Sequence, residues 1–348
     1  MKKLSIFNKL IFILNIVVAI LTFLAYLLPF LAPTFFPLLS VLTLILPLFL
    51  VLNALFFIYW LIQFKRQMLF SGVVLLLGIT FITKFYKFSS IDLPHQEQDF
   101  VVMSYNVRLF NLFNWMPSAA VSTEIKTFIN KHNPDILCIQ EYSENADVNF
   151  RIYKHRYIYM QGNKIKSGQA IFSKYKIVNS GNLDLPNSDS AVIFIDVLKG
   201  KDTLRIYNMH LQSVKITPDV NEIEENVEVI NQNKSKHIFK RISLAFTKQQ
   251  LQSEIIKNHK ASCTYPIIIC GDMNNSAFSY VYRNVKGNLN DAFEEAGKGF
   301  GETYNFKYYP SRIDYILADK RFKVKSFANF SKFKNSDHYP IIARLALN

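Results

Sequence analysis

The chain has 348 residues, with 40 Lys+Arg against 26 Asp+Glu, seven His and three Cys; half of it is hydrophobic and only 19% is charged. A charged share under the roughly 25% of soluble domains excludes an intrinsically disordered chain and a disulfide-stapled mini-domain, and argues against an ordinary soluble enzyme. The apolar excess is concentrated. Residues 1–84 carry six basic residues (Lys2, Lys3, Lys9, Lys65, Arg66, Lys84) and no acid, which leaves 34 basic against 26 acidic residues, a net +8, for residues 85–348.

Three apolar runs lie in the first quarter, at about 10–31, 38–64 and 69–88. A helix needs about 20 apolar residues to cross a hydrocarbon core about 30 Å thick, so residues 1–88 read as a membrane anchor of three transmembrane helices. The third run is clean only to Thr83 and spans if Lys84 and Lys87 snorkel toward headgroups. The first run is too long for a signal-peptide core and lacks a small-residue cleavage site, so it reads as retained. Basic residues precede the first run and separate the second from the third, whereas residues 32–37 (APTFFP) carry no charge. The positive-inside rule then predicts an integral protein of a bacterial-type inner membrane with its large domain on the outer, periplasmic side. The spans contain no Asp, Glu or His, which disfavours a transport path.

Residues 89–98 (SSIDLPHQEQ) turn polar and read as a linker into a domain at 99–348. That domain opens with FVVMSYNV (100–107) and DILCIQEY (135–142). It continues through YIYM (157–160), GQAIFSKY (168–175), AVIFIDVL (191–198) and TLRIYNMHL (203–211). PIIICGDM (266–273), RIDYILAD (312–319), KVKSFANF (323–330) and HYPIIARLAL (338–347) complete the set. Such β-branched and aromatic runs between turn residues predict strands. Helical spacing predicts helices at 119–132, closed by Asn133-Pro134, and at 236–258 through Ile238, Ile242, Leu244, Ala245, Leu251 and Ile255. The polar stretch 213–236, with its acidic EIEENVE (222–228), reads as a loop or helical excursion. Strands with interspersed helices over about 250 residues predict an α+β domain with a packed double sheet. Cys138, Cys263 and Cys270 have no metal-binding or disulfide spacing and read as reduced thiols.

The informative feature is that apolar strand runs end in polar groups. Asn106 follows FVVMSY, Glu141 follows DILCIQ and His210 follows TLRIYNM. Asp272 and Asn274 follow PIIICG, Asp314 sits in RIDYI, and Asp337–His338 precede YPIIARL. One such residue is ordinarily a turn or cap. Seven such positions predict a site preorganised at one end of the sheets. Carboxylate and amide oxygens suit a hard divalent cation, and a His among acids suits proton transfer, so the chemistry points to metal-assisted hydrolysis of a phosphate ester.

SYNVR (104–108), IQEY (139–142), NMHLQS (208–213), GDMN (271–274), RIDYI (312–316) and SDHYP (336–340), in that order, resemble the signature blocks of the endonuclease/exonuclease/phosphatase superfamily. Deoxyribonuclease I, exonuclease III and neutral sphingomyelinase belong to that group. LNDAF (289–293) and GETY (301–304) match more weakly. The resemblance implies a four-layer α-β-β-α sandwich over about residues 99–347. It also implies Glu141 as the principal Mg²⁺ ligand (Mn²⁺ the alternative), with Asn106 beside it and Asp337 near the metal. Asp272 would position or deprotonate the attacking water, Asn274 would hydrogen-bond the scissile phosphate and His210 would contact a phosphate oxygen. His338, held by Asp314, would be the acid/base. Arg312 is balanced between a site role and a plain sheet-edge ion pair.

The branch stays open. Arg108 matches the deoxyribonuclease I type of block, Ser143 departs from it, and RIDYI is closer to the phosphatase and sphingomyelinase branches. The expectation is a membrane-anchored phosphodiesterase. Nucleic acid ranks ahead of a lipid headgroup as substrate on the strength of the basic charge, and a catalytically silent, partner-binding domain ranks last. A basic groove would favour nucleic acid; exposed apolar loops at the rim, FNLFNW (110–115) among them, would favour lipid.

Overall fold

The computed structural model describes residues 4–146, 148–162, 166–186, 188, 190–214 and 232–348. The apolar quarter forms helices α1 (Ile6–Leu27), α2 (Leu42–Ile62), α3 (Met68–Leu77) and α4 (Ile79–Phe85). Extended by flanking turns, the first two give spans Ile6–Phe30 and Leu39–Ile62, each long and apolar enough to cross a membrane. Their outward faces carry Leu10, Leu14, Val17, Leu48, Val51 and Leu55, which a water-facing helix would not expose together.

The third run departs from the single straight helix expected over 69–88. It bends by 66° at Gly78, so that α3 and α4 make one broken span or a re-entrant pair. A Cβ at Gly78 would lie 1.9 Å from the Tyr26 hydroxyl, so glycine is what lets α1 close on the bend. The bend carries Lys84 onto the large domain, above the rings of Phe81 and Tyr282, rather than out toward headgroups.

Among the described residues, the large domain has twelve strands in two six-stranded sheets. They are β1 (Phe100–Asn106), β2 (Ile136–Tyr142), β3 (His155–Gln161), β4 (Ser167–Ser173), β5 (Lys176–Leu183) and β6 (Ala191–Lys199). The rest are β7 (Asp202–His210), β8 (Ile267–Asp272), β9 (Asn290–Asp291), β10 (Asp314–Ala318), β11 (Phe322–Asn329) and β12 (Ile341–Leu347). One sheet has the order β11-β12-β1-β2-β4-β3 and the other β5-β6-β7-β8-β10-β9. The β1/β2 and β7/β8 pairs, at the middle of each sheet, are parallel.

Alternation along the strands builds the layers. Phe100, Val102, Ile136 and Cys138 point between the sheets and meet Leu204, Ile206, Ile268, Cys270 and Ile316. The residues between them, Met103, Tyr105, Leu137 and Ile139, face outward onto α5 (Val121–His132), which offers Val121, Ile125 and Ile129 at helical spacing. Asn133, left-handed at φ 45°, caps that helix before Pro134. On the other sheet, Tyr207, Met209 and Ile269 pack under α6 (Gln232–Ala261) and α7 (Tyr280–Lys286), and α8 (Ala292–Ala296) closes the edge. The result is the α-β-β-α sandwich the motifs implied.

Two expectations are corrected. β5 was not anticipated: KIVNSGNL is an exposed edge strand with almost no buried face, so it carries little periodic signal. On α6, Leu244 and Leu251 face outward, while Gln249, Gln252 and Ser253 are buried. Most of the 213–236 stretch, including EIEENVE, lies outside the described residues. The 89–98 segment runs along the domain, with Leu93 N–H donating to the Lys325 carbonyl.

Candidate active site

The alternation that fills the core also places the polar groups. Asn106, His210, Asp272 and Asp314 have the same parity as Val102, Ile206, Cys270 and Ile316, and so emerge between the sheets at one end. Glu141 does not: its parity is that of Ile139, which faces α5. A register shift between Ile139 and Tyr142, with Glu141 at φ 49°, turns it to the other face. A non-glycine residue in the left-handed region costs about 1 kcal/mol or more and is typical of functional positions.

Asp272 is the centre of the constellation. Its Oδ1 accepts the Asn274 backbone N–H at 2.7 Å, and its Oδ2 accepts Asn274 Nδ2 at 3.1 Å and Asn106 Nδ2 at 3.2 Å. Asn106 also donates to Glu141 Oε1 at 3.1 Å. His210 Nε2 stands 3.6 Å from Asp272 Oδ2 and 3.7 Å from Glu141 Oε1. On the far side His338 Nε2 lies 3.7 Å from Asp272 Oδ2, while its Nδ1 is 3.0 Å from Asp314 Oδ2. Seven of the eight candidates, His338 and Asp314 included, thus form one contiguous set. Asp337 lines the same pocket, but its carboxylate pairs with Arg108 Nε at 3.5 Å instead of meeting Glu141.

Burial and charge set the proton-holding properties. Burial pushes the Asp272 carboxyl up to about 6, against the pull of His338 and with the repulsion of Asp314. Burial opposes charging of His338, but the Asp314 and Asp272 carboxylates outweigh it and raise its pKa to about 10. The pair is therefore a carboxylate beside an imidazolium at neutral pH, a base and an acid poised within one site.

Several supporting residues were not singled out from sequence. The Thr303 hydroxyl accepts the backbone N–H groups of Ile313 and Asp314, and Tyr304 packs edge-on against His338 at 4.8 Å. The Ser336 hydroxyl donates to the Asn106 carbonyl. Gln249 Nε2 on α6 donates to the carbonyls of Gln212 and Asn274, and its Oε1 accepts from Asn275. Their signal was the uncharged amide and hydroxyl run Gln249–Ser253 within an otherwise Lys-rich helix, and the GETY and SDHYP blocks themselves. Arg312 is a buried ion pair with Asp291, at 2.6 Å, and donates also to the Lys84 carbonyl of α4.

Residues 103–338 match the family model described as the Endonuclease/Exonuclease/phosphatase family. The chain belongs to that family. Its members are metal-dependent phosphoesterases, and the chain is an enzyme of that class. Residues 8–85 match a second model, described as a domain of unknown function (DUF8431). No curated protein sequence matches the chain. Similar solved structures include the human nocturnin catalytic domain with bound sulfate, at 18% identity over 76% of this chain and 97% of that one, TM-score 0.54. An endonuclease/exonuclease/phosphatase from Bacteroides vulgatus is also 18% identical, over 72% of this chain and 100% of that one, TM-score 0.54. The mannosyl-6-phosphatase Bt3783 of Bacteroides thetaiotaomicron is 18% identical over 71% and 100%, TM-score 0.51. At these identities the likeness is one of fold.

The donor set fits the divalent metal that the family uses. Glu141 and Asp337 offer partly exposed carboxylate oxygens to the pocket, both hard ligands, Asn106 bonds to Glu141 through Nδ2 while its Oδ1 accepts from the Arg108 N–H, and no described cysteine lines the pocket. Asp272, Asp314 and His338 also lie within 4.8 Å of one another, but His338 Nδ1 is engaged by Asp314, which suits that trio to holding a proton.

Proposed function

We propose that this chain is a membrane-anchored, divalent-metal-dependent phosphoesterase that hydrolyses phosphodiesters. The observation that carries the reading is Asp272, buried and fixed by Asn106 and Asn274, with the His338–Asp314 pair on its other side. In this mechanism Asp272 takes a proton from the attacking water, and protonated His338, oriented by Asp314, supplies one to the departing oxygen. Asn274 and His210 donate hydrogen bonds to the phosphoryl oxygens as charge gathers there. Glu141 and Asn106, with Asp337, would hold Mg²⁺ or Mn²⁺, which neutralises the phosphate and polarises it.

The anchor reading rests on the two long apolar helices. Its orientation is supported by which end of the bundle meets the domain: the charge-free segment 28–47 does, joined there by the lone cation Lys84, whereas Lys9, Lys65 and Arg66 lie at the opposite end. That arrangement suits an outward-facing catalytic domain.

Nucleic acid as substrate is the second reading. The net +8 of residues 85–348 favours it, since basic side chains neutralise a run of phosphates. The test of the class is hydrolysis of bis(p-nitrophenyl) phosphate by the full chain in detergent. Activity should vanish in EDTA and return with Mg²⁺ or Mn²⁺, and an undiminished rate in EDTA would end the metal-dependent reading.

A further inference from the structure

The pocket holding Asp272 and His338 is not walled by the sandwich alone. Leu44 and Pro47 of α2 and Phe85 of α4 form its opposite side, joined by Phe278 and Phe300 of the domain. The lining therefore joins the charged and hydrogen-bonding groups of the sandwich to apolar side chains of the helices, with Lys84 of α4 among them. At 1.5 Å per residue, Leu44 and Pro47 lie within about 12 Å of the domain-side end of the Leu39–Ile62 span.

The contact between bundle and site is specific. Pro47 has no N–H, so the Thr43 carbonyl lacks its helical partner; the hydroxyl of Ser276, two residues beyond Asn274, donates to it at 3.4 Å. Phe278 packs in the bundle's own apolar cluster, 6.2 Å from the Phe81 ring, and Phe300 stacks edge-on with Phe85 at 5.1 Å. Phe88, Phe300 and Tyr308 stay exposed, as aromatic side chains do at a membrane interface.

We propose that the substrate is a lipid-borne phosphate ester drawn sideways from the bilayer. Its phosphate sits among Glu141, Asp272, Asn274 and His338, and the first carbons of its chain lie against Leu44, Pro47, Phe85 and Phe278. This deepens the phosphoesterase reading and rests on it. Water adds to phosphorus and one P–O ester bond breaks. The proton of the water passes to Asp272, and the released alcohol oxygen is protonated by His338. A free nucleic acid or a soluble phosphate ester would leave the apolar wall uncovered, which disfavours both.

The test uses the full chain in nanodiscs with Mg²⁺. The membrane substrates are phosphatidylglycerol, phosphatidylethanolamine, sphingomyelin and a polyprenyl phosphate, which separate glycerolipid, sphingolipid and isoprenoid sources. The comparators are glycerophosphoglycerol, plasmid DNA, an RNA oligonucleotide and bis(p-nitrophenyl) phosphate. At least one membrane substrate should be turned over about tenfold or more faster than every natural comparator, the scale of one apolar contact in a pocket. Leu44→Glu, and Phe300→Ser at the exposed rim, should each lower the ratio of lipid to bis(p-nitrophenyl) phosphate turnover about tenfold. Nucleic acid or glycerophosphoglycerol turned over as fast as the best lipid, or a ratio unmoved by both substitutions, overturns the inference while leaving the phosphoesterase standing. No hydrolysis of bis(p-nitrophenyl) phosphate with Mg²⁺ or Mn²⁺ overturns both.

Discussion

Two buried polar clusters sit in different halves of this molecule, and they are built on opposite plans. In the bundle, Asn15 Nδ2 donates to Ser71 Oγ at 2.9 Å while Asn15 Oδ1 accepts from Trp60 Nε1 at 3.1 Å. All three groups are neutral and occupied by one another across three helices. At the end of the sandwich, Asp272, Asp314 and His338 are ionisable side chains in contact, Glu141 opens to a pocket, and His210 keeps part of its surface exposed. A neutral, mutually satisfied cluster fixes how helices pack. A charged cluster with unused hydrogen-bonding capacity is suited to chemistry. Buried polarity alone does not separate the two; charge and leftover capacity do.

If that contrast is right, His338→Ala should lower kcat by about 10³-fold while leaving the thermal melt of the full chain cooperative. Wild-type turnover in that variant would remove His338 from the mechanism. The Arg312–Asp291 pair sharpens the comparison, because it is charged like the site and borders the same pocket, yet its carboxylate already has a buried cation at 2.6 Å. Arg312→Leu strands a buried carboxylate and should cost about 3–5 kcal/mol of stability in a denaturation series, with kcat per folded molecule little changed. Asn15→Leu should cost about 1–2 kcal/mol in a detergent melt and leave turnover unaltered; a loss of activity without a loss of stability would break the contrast. The smallest effect is in pH. Asp272 must be ionised to accept a proton, and burial raises its pKa to about 6, so activity should fall as pH drops through that region, or lower once a cation binds. A rate that rises on acidification would contradict the role given to Asp272.

Much of the site was legible because strands count in twos. Once Val102, Ile206, Cys270 and Ile316 were core, Asn106, His210, Asp272 and Asp314 had to face the same way. Glu141 was found by its place at a strand end, whereas the left-handed backbone that turns it toward Asn106 leaves no mark in composition. The edge strand Lys176–Leu183 escaped notice because an exposed strand needs no apolar face. The inner face of α6 was misjudged for the converse reason. Gln249 and Gln252 go inside because they satisfy loop backbone groups near the site, a demand set by distant sequence. The break at Gly78 depends on Tyr26, some fifty residues earlier, so no local pattern announces it.

The hydroxyl bridge from Ser276 to the Thr43 carbonyl bears on how such a protein is divided in the laboratory. The polar stretch 89–98 invites excision of everything before it, as a route to a fragment that needs no detergent. That cut would strip one wall from the pocket and leave Ser276, Phe278 and Arg312 facing solvent where helix backbone and aromatic rings had been. A fragment made this way keeps its acids and histidines, and a generic chromogenic ester would report it as sound. The discrimination supplied by the missing wall would be gone, and with it the information most wanted from the assay.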